Sequence, residues 1–218
     1  SVSIATEDYL QRILAAEERS GDNLVGLGAL ADAMQVTPGT ITTMVKSLER
    51  AGLVTYYPRS GVRLTGRGRK QAMGVLRRHR LIELFLVESL GFDWSEVHDE
   101  AEVLEHAVSA RLLERIDATL GHPEFDPHGD PIPSATGSIL AQDTVELISA
   151  PINNQVTIAR VHHHDPEFLS YLKEQGLVPG AQVVVLDLSD QADTVRVRAN
   201  AHESVLSRAA ATGIRVLV

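Results

Sequence analysis

Apolar residues recur at helical spacing through the first 120 positions or so and shift toward alternation only in the C-terminal third. Residues 5–19 read as a helix. Thr6 is its expected N-cap, Glu7 and Asp8 occupy the first turn, and Tyr9, Leu10, Ile13 and Leu14 form the apolar stripe. Residues 27–54 carry a helix-turn-helix pattern. The first helix runs over 27–34, Gln35 and Val36 turn, and Thr37 caps a second helix with Pro38 at its first position, where a missing N–H costs little. Ile41, Met44, Val45 and Leu48 face inward, and Gly52 closes the helix. Residues 53–57 and 62–65 then flank Pro58-Arg59-Ser60-Gly61 as a β-hairpin, so the order is that of a winged helix.

Residues 66–90 read as one long helix whose second half, 81–87, is apolar almost all round and needs partners on several sides. Two more helices follow over 95–107 and 109–120. Val103, Leu104, Val108, Leu112, Leu113 and Ile116 are available there for packing, which suggests a homodimer. Residues 121–137 hold four of the nine prolines and read as a linker or irregular surface loop. After about 144 the pattern is of short strands, 155–161, 182–186, 194–198 and 213–218, around a helix over 165–175 capped by Asp165, as in a small β-barrel. The expected fold is α+β in three parts: a winged helix-turn-helix over 1–73, an all-α dimerisation domain over 74–137, and a small β-barrel over 138–218.

Composition narrows the chemistry. Of 218 residues, 44% are hydrophobic and 22% charged, which supports a packed core and excludes a disordered chain. No run of 18 apolar residues suggests a membrane span, and the N-terminal residues lack the pattern of a secretory signal, so a cytoplasmic protein is expected. Cysteine is absent, so any metal site must use nitrogen and oxygen ligands, which suit Mn²⁺ and, with less discrimination, Fe²⁺ or Zn²⁺. The net charge of -9 argues against nucleic acid, yet residues 46–80 hold ten Lys/Arg against one acid, Glu49. That local excess is the footprint of a phosphate-binding surface. Thr37, Pro38, Gly39, Thr40, Thr42 and Thr43 are the candidates to approach bases, because small side chains let the backbone near a groove. Lys46, Arg59 and Arg63 are the candidates to hold phosphates.

Placed on a helix at about 100° per residue, His98, Glu102, Glu105 and His106 share one stripe. Two imidazoles and two carboxylates on one face form a ligand set for a divalent ion. His79 and Glu83 add a second pair at i, i+4. The plain alternative is a solvated charged face. For Asp8 it is a first-turn acid favoured by the helix dipole. His79 and His98-Asp99 also loosely suggest a metal-dependent phosphohydrolase, but a basic winged helix is not what such an enzyme needs, so no enzyme is expected.

Taken together, the motifs resemble the diphtheria toxin repressor family of metal-dependent transcriptional repressors. The most specific are residues 78–83 (Arg-His-Arg-Leu-Ile-Glu), 97–106 and Gly129-Asp130-Pro131-Ile132-Pro133; Gly176-Leu177-Val178-Pro179-Gly180 resembles an FeoA-like domain. The resemblance implies two metal ions per subunit. It assigns Asp8, Glu102, Glu105 and His106 to a primary site and His79, Glu83 and His98 to an ancillary one, with His164 and Glu167 as the nearest matches for ligands from the barrel. Iron-responsive members have Met and Cys where this chain has Asp8 and Glu102, and manganese-responsive members have acids there. Short manganese repressors carry a Glu one turn after the first acid, whereas this chain has Gln11, which argues against a closely spaced two-ion cluster. The expectation is a Mn²⁺-activated homodimer binding a pseudo-palindromic double-stranded DNA operator of manganese homeostasis genes, with an Fe²⁺-dependent repressor of iron uptake as the alternative. No membrane and no small organic ligand are expected as partners.

Overall fold

The computed structural model describes residues 3–21 and 24–218, so residues 1–2 of the N-terminal segment and residues 22–23 lie outside it. The chain falls into two compact units, Ser1–Arg78 with Pro133–Ser138, and His79–Ile132 with Ile139–Val218. Among the described residues no helix is long and apolar enough to cross a membrane.

The first unit opens with α1, Ile4–Ser20. Its cap is Ser3, whose side chain accepts the Thr6 amide at 3.2 Å, and not Thr6 itself. An extended Ser just ahead of the helix satisfies an amide that Thr6 would otherwise need to satisfy from inside it. Helix α2, Leu27–Met34, and α3, Pro38–Arg50, stand as expected, with Thr37 capping α3 through the Thr40 amide. Gly52 follows with φ +72, the left-handed conformation in which an αL residue ends a helix. Strands β1, Val54–Tyr57, and β2, Gly61–Leu64, pair antiparallel with Val54 opposite Leu64 and Tyr57 opposite Gly61. Leu10, Ile13, Leu14, Leu30, Ile41, Val45, Leu48 and Val62 are buried together as the core side chains of these elements. Each contributes about 1.5–3 kcal/mol by leaving water. Helix α4, Gly66–Leu90, starts in this unit and ends in the other. A Cβ on Gly68 would lie 1.9 Å from the Leu53 carbonyl oxygen, so only glycine lets α4 pass the start of the wing.

In the second unit α5 covers Val97–Leu104 and α6 covers Ala110–Thr119, both shorter than their apolar spacing suggested. The stripe is therefore not one helix. Glu105 is the C-cap of α5, and His106 lies in the turn beyond it. Ile82, Leu86, Val97 and Ala101 form one small core, and Leu81, Ile116 and Ile132 another.

The C-terminal strands are β3 (Val145–Glu146), β4 (Gln155–Val161), β5 (Gln182–Ser189), β6 (Thr194–Ala199), β7 (His202–Ser207) and β8 (Ile214–Leu217), all paired antiparallel in the order β3-β8-β4-β5-β6-β7. Helix α7, Pro166–Glu174, is capped by Asp165, and a short α8, Arg208–Thr212, precedes β8. Sequence spacing did not suggest β3, β7 or α8. The core of this sheet takes in Trp94.

The proline-rich segment departs most from expectation. Asp126 and residues 128–132 are buried, so this part is neither a linker nor a surface loop. The His128 carbonyl accepts the Val161 amide at 2.8 Å. Gly129, at φ +84, lies so close to β4 that a Cβ would sit 2.0 Å from the Ala159 carbonyl oxygen.

Candidate metal centre

Helix α4 presents His79 and Glu83 one turn apart, and α5 presents His98 from its first turn. His79 Nε2 lies 2.9 Å from Glu83 Oε1 and 3.1 Å from His98 Nδ1, and His98 Nδ1 lies 3.3 Å from the same Glu83 oxygen. One donor atom from each of the three falls within 4.8 Å of the others. His79 turns its other nitrogen, Nδ1, to Glu105 Oε2 at 2.7 Å. A carboxylate behind an imidazole in this way fixes the ring's orientation and leaves its far nitrogen to face a metal.

The electrostatics follow from how closely these groups are crowded. Burial disfavours a charged His79, but hydrogen bonds to Glu105 and Glu83 outweigh it and raise its pKa to about 10. Burial would likewise raise Glu83, yet His128, His79 and His98 hold its carboxyl well below the usual range. His164, from the segment after β4, stacks on His98 with ring centroids 4.2 Å apart; partial desolvation of its ring and the neighbouring His98 and His162 lower its pKa to about 4.

A second group shares Glu83. Its donors, with those of Asp126 and His128, again lie within 4.8 Å, and all three residues are buried. His128 donates from Nε2 to the Trp94 carbonyl at 2.8 Å and places Nδ1 3.7 Å from Glu83 Oε2. Burial, then the adjacent Asp130 and Glu83, push Asp126 up to about 8. Neither His128 nor Asp126 is singled out by the sequence. The only signal was the Gly129-Asp130-Pro131-Ile132-Pro133 motif, which brings that loop onto β4.

Of the remaining candidates, Glu105 and His106 are adjacent, with His106 Nε2 3.4 Å from Glu105 Oε1. Glu102 is half exposed and lies 3.6 Å from His98 Nε2. Asp8 is half-buried in α1 and belongs to the first unit. Glu167 is exposed in the first turn of α7 and joins none of the ligand groups above.

On the helix-turn-helix, Thr37, Pro38, Gly39, Thr40, Thr43, Lys46, Arg59 and Arg63 are exposed and Thr42 is half-buried. The Thr42 and Thr43 hydroxyls donate back to the Pro38 and Gly39 carbonyls at 2.8 and 2.9 Å, leaving their oxygens as acceptors. Arg59 stands at the wing tip with φ +66, and Arg63 lies over the Tyr57 ring. The basic excess of 46–80 is partly structural, since Arg69 pairs with Glu17, Arg78 with Glu7, and Arg80 approaches Asp126 and Asp130. Lys46, Arg50, Arg59 and Arg63 make no ion pair among the described residues.

Three family models match successive parts of the chain. Residues 2–62 match the family described as iron dependent repressor, N-terminal DNA binding domain. Residues 65–134 match iron dependent repressor, metal binding and dimerisation domain, and residues 145–218 match the FeoA domain. The iron-dependent repressor IdeR of Mycobacterium leprae is 32% identical over 194 residues, 83% of each chain. The diphtheria toxin repressor of Corynebacterium efficiens is 31% identical over 193 residues, 84% of this chain and 83% of its own. Among solved structures, a manganese-dependent transcriptional repressor in complex with manganese superposes with a TM-score of 0.88 at 39% identity, over 97% of this chain and 99% of that one. ScaR with bound Cd²⁺ superposes with a TM-score of 0.81 at 35% identity, over 97% and 98%.

Proposed function

Because the chain belongs to the iron-dependent (diphtheria toxin) repressor family of metal-dependent transcriptional regulators, we propose that it is the Mn²⁺-activated kind: a homodimer that represses manganese homeostasis genes from a pseudo-palindromic operator. The observation that carries this reading is the donor set. Every ligand candidate is a carboxylate or an imidazole, and the chain has no cysteine. Sulfur ligands favour softer ions, whereas an oxygen-rich set lets Mn²⁺ compete despite its low place in the affinity series of divalent metals. The fit extends to electrostatics. Glu83 stays ionised beside His79 and His128, and an ion at Glu83 would take the place of the protons that these two imidazoles hold.

In this reading His79, Glu83 and His98 hold one ion, with His164 beside them, and Glu102, Glu105 and His106 hold the other together with Asp8. The metal supplies positive charge that offsets crowded carboxylates. The protein supplies orientation: Glu105 holds the His79 ring, and Asp8 links α1 to metal occupancy. Metal binding then raises the fraction of molecules whose two recognition helices match successive DNA grooves, about 34–36 Å apart. The relatives named for iron support a second reading, an Fe²⁺-dependent repressor.

The test is fluorescence anisotropy of a labelled duplex from the protein's own promoter region at fixed salt. Tight binding in Mn²⁺ that excess chelator abolishes is expected. Binding indifferent to chelator overturns metal activation, and an anaerobic titration in which Fe²⁺ acts at lower free concentration than Mn²⁺ selects the second reading.

A further inference from the structure

Glu17 is a carboxylate buried in a winged helix that must stay basic to bind DNA. It is 4% exposed, in the last turns of α1. Oε1 accepts the Leu64 amide at 3.0 Å, and Oε2 accepts from the Arg69 guanidinium. One side chain therefore joins three elements: α1, the last residue of wing strand β2, and the first turn of α4. Backbone bonds between Val25 and Val62, 2.8 Å in each direction, tie the chain after α1 to the same strand. A buried carboxylate is a costly way to fasten three elements, since apolar residues of similar size often serve stability as well or better. What it adds is directional geometry, with one oxygen on a strand amide and the other on a guanidinium.

We propose that Glu17 is a positioning residue for DNA binding: it fixes the base of the wing to α1, so that the helix bearing Asp8 also sets where Arg59 meets phosphate. Helix α1 is a continuous rod with Asp8 near its start and Glu17 nine residues later. Its link to metal rests on the proposed function above, but its hold on the wing does not.

The experiment is a double-mutant cycle with Glu17→Met and Arg59→Gln in the full-length protein. Affinity is read by anisotropy on a fluorescein-labelled duplex selected from a random-sequence pool by the parent protein in Mn²⁺, with a melting curve to establish that each variant is folded. Each single substitution weakens binding about fivefold, the loss of one phosphate contact. If Glu17 positions Arg59, the double variant binds no more weakly than the poorer single variant, because residues acting through one contact are not additive. Glu17→Gln, whose amide oxygen still accepts from Leu64, recovers most of the affinity. Losses that multiply in the double variant overturn the proposal, since a merely structural Glu17 weakens binding whatever stands at the wing tip. Should Glu17→Met fail to fold, Arg69→Met removes the other arm and enters the same cycle. Repeating the parent titration in chelator separates the two readings: DNA binding indifferent to Mn²⁺ defeats the metal reading, while the cycle still decides the role of Glu17.

Discussion

The Nδ1–H of His79 donates to Oε2 of Glu105 across 2.7 Å, and this bond does much to decide which protons the metal-free centre carries at neutral pH. With its pKa near 10, metal-free His79 is protonated at pH 7, whereas a metal ligand must be neutral. An ion entering beside Glu83 and His98 therefore displaces a proton, and affinity rises with pH until about 10. Calorimetric titration in buffers of differing ionisation enthalpy is expected to show about one proton released from His79 per ion bound there. No release would mean that His79 is not a ligand.

The same shift has a signed effect on folding. His79 has a higher pKa folded than its ordinary 6.5, so its contribution is complete below 6.5 and is lost as pH rises through about 10. Melting temperatures of the chelated protein are expected to fall across that window. Replacing His79 with Asn should flatten the fall, and an unchanged slope in that variant would assign it to another group.

Metal choice should follow one side chain. Glu102 is half exposed and 3.6 Å from His98 Nε2, so the carboxylate can be exchanged for a thiol without opening the core. Glu102→Cys is expected to shift activation toward Fe²⁺ by about tenfold relative to Mn²⁺, the scale on which ligand environments alter metal affinity. DNA binding titrated anaerobically with each ion gives the ratio. A ratio equal to that of the parent removes Glu102 from the site.

How much of this was legible in the sequence depended on range. The Thr37 cap, Pro38 at the start of α3 and the wing turn are local devices, each decided within four residues, and the structure reproduces them. Helix ends were less legible: α5 stops at Leu104, so Glu105 and His106 reach their places from a turn and not from a stripe. Asp126 and His128 were hidden because their meeting with Glu83 depends on a loop held against β4 by Gly129 and the Val161 amide, a contact across about thirty residues that leaves no periodicity. The basic run over 46–80 looked unopposed because its acids, Glu7, Glu17, Asp126 and Asp130, lie far away in the chain.

Trp94, the chain's single tryptophan, provides a direct readout of the loop group. Its ring stacks on His128 with centroids 5.4 Å apart at 27°, and its carbonyl accepts the His128 Nε2–H. An ion held by Glu83 with His79 and His98 would change the charge beside the stacked imidazole, because His128 Nδ1 lies 3.7 Å from Glu83 Oε2. Emission from Trp94 is therefore expected to change on adding Mn²⁺ to chelated protein, and Asp126→Asn should weaken the change severalfold. An identical response in that variant would show that Asp126 does not bear on the ion at Glu83.

The outer face of the α5–α6 region makes the last prediction. Leu113 and Ile116 pack inward with Leu81, yet Val103 is 71% and Leu112 51% exposed. Large apolar side chains standing out of helices in a dimerisation domain suit a partner surface. A glutamate at the interface of a two-fold dimer appears twice, so its repulsion and desolvation count doubly. Leu112→Glu is expected to shift the protein toward monomer by sedimentation velocity and to reduce operator affinity by at least tenfold, because one recognition helix then loses the help of the other. The metal groups lie on other side chains, so the calorimetric proton release should persist at His79. A Leu112→Glu protein that remains dimeric would move the interface to another face.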